Sequence, residues 1–144
     1  MTTVLGVLVG YTVLVALVPL LLESRFLYYP TRGHDVTPEE IGLTAERVSL
    51  RTDDGVVLDA VWCAAPEERA ALLFLHGNAG NLSHRLDNVK ALVGRGISVL
   101  LLDYRGYGRS GGEASEEGLH RDARAAWAWL RERRDRVFLF GRSI

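Results

Sequence analysis

The chain has one cysteine, one methionine, four prolines and, among 17 basic residues, a single lysine, Lys90. A lone cysteine excludes an intrachain disulfide, and the apolar setting Val61-Trp62-Cys63-Ala64 reads as buried packing. The 18 acidic and 17 basic groups are spread along the body for a net charge of -1, so neither a nucleic-acid footprint nor an acidic tail is present. No internal repeat or low-complexity tract appears. The four histidines, His34, His76, His84 and His120, show no metal-ligand spacing, and neither a metal nor a cofactor is expected. With 48% hydrophobic and 24% charged residues, a folded body is expected rather than a disordered chain.

Charge is also missing before Glu23. Val4 to Leu22 is an uncharged run, apolar all round, and at about 1.5 Å per residue it nearly matches the roughly 30 Å core of a bilayer. A cleaved signal peptide needs a basic start and a small-residue cleavage site, which Met1-Thr2-Thr3 and Glu23-Ser24-Arg25 do not offer. The expectation is an uncleaved single-pass anchor over residues 1–25, with Phe26-Leu27-Tyr28-Tyr29-Pro30 at headgroup level. Arg25 and Arg32 follow the span, so the positive-inside rule points the body towards the cytoplasm.

Residues 26–40 read as a linker broken by Pro, Gly and Asp, and residues 41–144 as the folded domain. Arg47–Thr52 and Val56–Ala64 flank Asp53-Asp54-Gly55, a hairpin signal that opens a sheet with an antiparallel pair. Ala70–Leu75, Ile97–Leu102 and Arg136–Phe140 are strands, the first two apolar throughout. Between them lie helices over Leu82–Gly94 and Ser115–Arg134, the second with Leu119, Ala123, Ala126/Trp127 and Leu130 on one stripe. Strand, helix, strand, helix, strand is the pattern of an α/β fold with a mostly parallel sheet and right-handed crossovers.

Two serines compete for a chemical role. Gly108-Arg109-Ser110-Gly111-Gly112 contains the full Gly-x-Ser-x-Gly text, yet a nucleophile elbow needs its serine directly after a strand. Ser110 lies well past the strand ending at Leu102 and reads as a loop residue. Ser143, in Gly141-Arg142-Ser143-Ile144, directly follows Val137-Phe138-Leu139-Phe140 and is the candidate. His76-Gly77-Asn78 sits between a buried strand and a helix, where backbone N–H groups point outward and can stabilise an oxyanion. Gly77 lets the backbone approach a substrate. His76 itself reads as a hydrogen-bonded loop histidine.

Three motifs, His76-Gly77-Asn78-Ala79-Gly80-Asn81, Asp103-Tyr104-Arg105-Gly106-Tyr107-Gly108-Arg109-Ser110 and Gly141-Arg142-Ser143-Ile144, follow the apolar run in register, and together the chain resembles the Bem46-like membrane-anchored α/β-hydrolases. The resemblance implies the N-terminal part of an α/β-hydrolase fold, with Ser143 as nucleophile, Asn78 and Ile144 backbone N–H groups as oxyanion hole, and His76, Gly77 and Gly80 in the motif loop. It implies a serine hydrolase acting on esters, thioesters or amides through an acyl-enzyme, with a small-molecule or lipid-like acyl substrate. The family's acid and histidine have no counterpart in this sequence, so a domain truncated at the elbow, inactive by itself, is expected. Two alternatives stand beside it: a Rossmann-like nucleotide-binding unit, with Gly77 and Gly80 opening a helix and Asp103 at a ribose, and a membrane-tethered remnant without activity. No feature sets the substrate's identity or an oligomeric state.

The apolar run yields a direct expectation. The chain sediments with membranes and resists extraction at alkaline pH, because a run of this length inserts stably; release into the supernatant by carbonate would rule out the anchor.

Overall fold

The turn at Asp53-Asp54-Gly55 folds as its residues dictate: Gly55 takes φ 86°, its N–H donates to the Thr52 carbonyl, and the Thr52 N–H donates to the Val56 carbonyl. The computed structural model describes residues 6, 11–13, 15, 17–18 and 27–143. In chain order the strands are β1 (Tyr29–Pro30), β2 (Glu46–Arg51), β3 (Val57–Cys63), β4 (Ala70–Leu75), β5 (Ala79–Gly80), β6 (Ile97–Leu102) and β7 (Val137–Gly141). The α-helices are α1 (Leu86–Val93) and α2 (Glu116–Arg131). The main sheet has the order β2-β3-β6-β4-β7, antiparallel through β3 and parallel from β6 to β7.

Successive residues of the central strands serve opposite layers. Leu58, Ala60, Leu73, Leu100 and Leu102 face one core with Leu119, Ala126 and Leu130 of α2. Val61, Cys63, Phe74, Val99 and Leu101 face the other with Leu86 and Val89 of α1. Each fully buried aliphatic side chain contributes about 1.5–3 kcal/mol, which is why the strands read as continuous apolar runs. Cys63 is fully buried, and burial pushes its thiol up to about 12. At the sheet edge β7 leaves Phe138, Leu139 and Phe140 about half exposed.

Two features depart from the sequence reading. The first helix begins as a 3-10 turn over Leu82–Arg85, because Asn81 accepts from the Ser83 N–H and hydroxyl while the Leu82 N–H goes to Asp103 Oδ1 at 2.7 Å. The segment read as a linker is a strap. β1 pairs in parallel with β5, Tyr29 opposite Ala79 and Pro30 opposite Gly80. Thr31 and Gly33 then exchange backbone bonds with Gly80 and Gly108, Asn81 Nδ2 donates to the Thr31 and Gly33 carbonyls, and Arg32 donates to the carbonyls of Ser110 and Gly112. A two-residue parallel pair leaves no periodicity, so pattern alone does not announce it.

The strap ends on a buried carboxylate. Asp103 is fully buried after β6; His34 Nε2 lies 2.6 Å from its Oδ2, and His76 Nε2 stands 3.5 Å from its Oδ1 without the alignment of a hydrogen bond. Its carbonyl accepts from the Ser110 hydroxyl at 2.6 Å, whose oxygen accepts from the Asp59 N–H. Ser110, 1% exposed, is thus the loop residue expected of it, a latch between β3 and β6. Gly108 has φ 47° and packs so closely that a Cβ would overlap the Asp103 carboxylate. Next in the loop, Arg105 is held by Asp122 of α2 and, through both terminal nitrogens, by Asp54 of the hairpin.

The apolar run Val4–Leu22 falls mostly outside the described residues. Those described within it are helical, and Tyr11, Val13, Val15, Leu17 and Val18 are all exposed. Among the described residues no helix is long and apolar enough to cross a membrane.

Asp103 makes stability pH-dependent. Burial alone would raise its pKa, but His34, His76 and the Leu82 N–H outweigh it and hold the carboxyl below its ordinary value. A lowered folded pKa stabilises above the unfolded value of about 3.9, and that stability is lost as pH falls through the folded pKa. Asp103→Asn should cost about 3 kcal/mol at neutral pH by breaking a buried pair. Its melting temperature should converge on that of the wild type as pH drops below about 4, as thermal unfolding across pH would show.

Candidate active site

The parallel register of β4 and β7 places Leu75 opposite Gly141, so the strand ends carrying His76-Gly77-Asn78 and Arg142-Ser143 emerge side by side. The Arg142 N–H donates to the Leu75 carbonyl at 3.1 Å, continuing the ladder past the last strand residue. Contact is then as tight as the backbone permits. A Cβ added at Gly77 would lie 2.9 Å from the Arg142 carbonyl oxygen and 3.7 Å from Ser143 Cβ. Only glycine fits there without moving one strand end.

Ser143 has φ 45°, the only non-glycine with a positive φ among the described residues. A side chain in that region costs about 1–3 kcal/mol and persists where the surroundings enforce it. Here the enforcing geometry is a sharp turn straight off a parallel strand, which turns the serine out of the sheet and leaves it exposed. Among the described residues none hydrogen-bonds to its hydroxyl. Ile144, the other proposed oxyanion donor, lies outside the described residues.

Asn78 is fixed from behind. Its carbonyl accepts from the Tyr107 hydroxyl at 2.7 Å and from the Tyr29 N–H at 3.4 Å, and no acceptor among the described residues engages its own N–H. Burial, with the neighbouring Tyr28, pushes the Tyr107 hydroxyl up to about 12, so it remains protonated and donating. His76 is fully buried and bonds the Gly77 carbonyl through Nδ1 at 2.7 Å. Tyr104 and Tyr107 meet its ring edge-on at 5.0 and 5.3 Å. It is a hydrogen-bonded loop histidine. Gly80 takes φ 88° above the His84 ring, and His84 Nε2 pairs with Asp35 at 2.7 Å.

Sequence reasoning named Ser143, Gly77 and Asn78, which the fold brings together, and missed Tyr107 and the strap behind Asn78. The Tyr107 role depends on a ring reaching from one loop to another, which no local pattern encodes. Asp103, which a nucleotide-binding unit would place at a ribose, is buried with both oxygens engaged. His34 Nε2 and carboxylate oxygens of Asp59 and Asp103 lie within 4.8 Å of one another, the only such group among the described residues. Two ligands on one tetrahedral zinc stand about 3.3 Å apart, whereas His34 and Asp103 meet at 2.6 Å and Arg47 holds Asp59 at 2.6 Å. The group is a hydrogen-bonded cluster, with Asp103 on His34 and Asp59 on Arg47.

Comparison with known proteins agrees with this geometry. A family profile described as serine aminopeptidase, S33, matches residues 66–144. The protein bem46 of Schizosaccharomyces pombe is 36% identical over 145 residues, 91% of this chain and 48% of that protein. The α/β-hydrolase domain-containing protein WAV2 of Arabidopsis thaliana is 37% identical, covering 96% of this chain and 47% of that protein. The chain spans about half the length of the curated relatives it matches. In three dimensions it superposes on an esterase of Pyrococcus furiosus with a TM-score of 0.66 at 25% identity, covering 78% of this chain and 48% of that one. The profile begins just before β4 and runs through Ser143, so the strand ends that converge on Gly77 are those the match spans; the chain belongs to the α/β-hydrolase family, among its Bem46-like members.

Proposed function

We propose that Ser143 is the nucleophile of an acyl-transferring hydrolase and that the Asn78 N–H, with that of Ile144, forms its oxyanion hole. The observation that carries this reading is the positive φ at Ser143 directly against Gly77. Ser143 Oγ bonds to the acyl carbon of an ester, thioester or amide, and its proton goes to a base. The carbonyl oxygen takes up the displaced electron pair as an oxyanion, where a backbone donor is worth about 2.7–4 kcal/mol. Collapse expels the leaving group with a proton from the base and leaves an acyl-serine, which water hydrolyses by the same route. Tyr107 and Tyr29, bonded to the Asn78 carbonyl, hold the peptide that presents the donor.

The proton acceptor is the missing part. His34 is bonded to Asp103, His84 to Asp35, His76 is buried against Gly77, and His120 is exposed on α2 with no hydrogen bond to Ser143, so no histidine and acid pair is assembled at Ser143 among the described residues. These 144 residues therefore hydrolyse at trace level, through the oxyanion hole alone. Residues 1–25 anchor the chain in a membrane, a reading supported by the uncharged run Val4–Leu22 and by the exposed apolar side chains described within it.

A fluorophosphonate probe tests the nucleophile, with imidazole supplied as an external base. Slow labelling that imidazole accelerates should map to the peptide containing Ser143 and vanish in Ser143→Ala; equal labelling of that variant would remove the assignment. Gly77→Ala, which forces the strand ends apart, should slow labelling by about 10²-fold, the penalty of a misplacement near 1 Å. Its effect is read as a rate at fixed probe concentration.

A further inference from the structure

His76 is a fully buried side chain that the chemistry proposed for Ser143 leaves unused, and its two ring nitrogens have unequal surroundings. Nδ1 lies 2.7 Å from the Gly77 carbonyl oxygen, which can only accept, so Nδ1 carries a proton and donates it there. Nε2 has no hydrogen-bond partner among the described residues, although Asp103 Oδ1 stands 3.5 Å away. That oxygen already takes the Leu82 N–H, and Oδ2 takes a proton from His34 Nε2 at 2.6 Å. Asp103 is thus supplied by the strap and the Leu82 turn, and His76 is left to Gly77.

The Gly77 carbonyl and the Asn78 N–H are the two ends of one peptide unit. In a trans peptide they point in opposite directions, and this bond is trans. A carbonyl tied inward to a buried ring therefore turns the Asn78 N–H away from that ring, and no acceptor among the described residues engages it. Donation to the carbonyl also polarises the peptide and strengthens its N–H as a donor. Glycine, required at position 77 by the close approach of Arg142, leaves the local dihedrals free, so an outside bond is needed to fix them. The ring that supplies it is itself held edge-on by Tyr104 and Tyr107 at 5.0 and 5.3 Å.

We propose that His76 is a positioning residue for the oxyanion donor, and that His34 of the strap, by occupying Asp103, keeps it in the tautomer this requires. The inference rests on the reading of Ser143 and the Asn78 N–H given above. Without His34 the buried carboxylate is short of a donor, and His76 Nε2 is the ring nitrogen left beside it. A proton drawn to Nε2 leaves a lone pair on Nδ1 facing the Gly77 carbonyl oxygen, and the two repel. The strap thereby acts on the Gly77–Asn78 peptide through two side chains.

The test uses the 144-residue chain in detergent micelles, with histidine carrying an NMR-active nitrogen isotope, whose shifts separate protonated from unprotonated ring nitrogens. The His76 signals are those that persist when His34, His84 and His120 are replaced singly by glutamine. A proton on Nδ1 is expected in the wild type and in His34→Gln, whose amide can still donate to Asp103, and its transfer to Nε2 is expected in His34→Ala. A neutral ring protonated on Nε2 in the wild type, or an unchanged ring in His34→Ala, would overturn the inference. Labelling by the fluorophosphonate probe reads the consequence. His76→Gln, whose amide falls near the place of Nε2, should label about tenfold more slowly, the worth of one net hydrogen bond. His76→Asn, whose amide falls near the place of Nδ1, should recover most of that rate, whereas equal slowing in both reduces His76 to packing and overturns its role. The wild-type spectrum and the His34 pair decide should the His76 variants not fold. Ser143→Ala should leave the His76 signals unchanged. A wild type that fails to label with its proton on Nδ1 strikes the Ser143 reading and the positioning role with it; one that labels with the proton on Nε2 strikes this inference alone.

Discussion

The Asp103 carboxylate organises the end of this molecule that carries the candidate site. It sits at the C-terminal end of the central strand β6, fully buried, where a charge survives only with partners. One oxygen takes the N–H that starts the Leu82 turn and the other faces His34 of the strap. Its backbone N–H and carbonyl bind the Asp59 carbonyl and the Ser110 hydroxyl. Three segments remote in sequence, and the loop that Asp103 begins, meet on one residue. The glycine loop curls round it because Gly108 leaves no side chain in the way.

From that centre the candidate site is two bonds away in either direction. Leu82, held by Asp103, follows directly on the His76–Asn81 loop, and Tyr107, in the loop that Asp103 begins, reaches back to the Asn78 carbonyl. The loop presenting the Asn78 N–H is thereby clamped at both ends, and the strap closes its outer side. Such rigidity suits electrostatic stabilisation of a transition state, since donors already in place need not reorganise when charge develops.

The sheet was legible because burial on both faces leaves continuous apolar runs: β4 and β6 lie where the sequence placed them, and the Asp-Gly turn set the hairpin. The place of Ser143 directly after a strand was legible from context, and so was the loop position of Ser110 despite its complete motif. The strap was not. Its backbone bonds to Gly80 and Gly108 depend on glycines about 50 and 75 positions away, and its side-chain bonds on the tertiary placement of Asp103 and Asn81. Pro30 and Gly33, which locally signal a break, lie within it, Pro30 opposite Gly80 and Gly33 at φ 76°.

Ser143 holds a backbone conformation that glycine would adopt without strain. By conformational fit alone, serine is the poorer residue at that turn, and a chain optimised only to fold would not keep it. At this point the strand end holds main-chain strain against the close packing of Gly77 on Arg142 and Ser143.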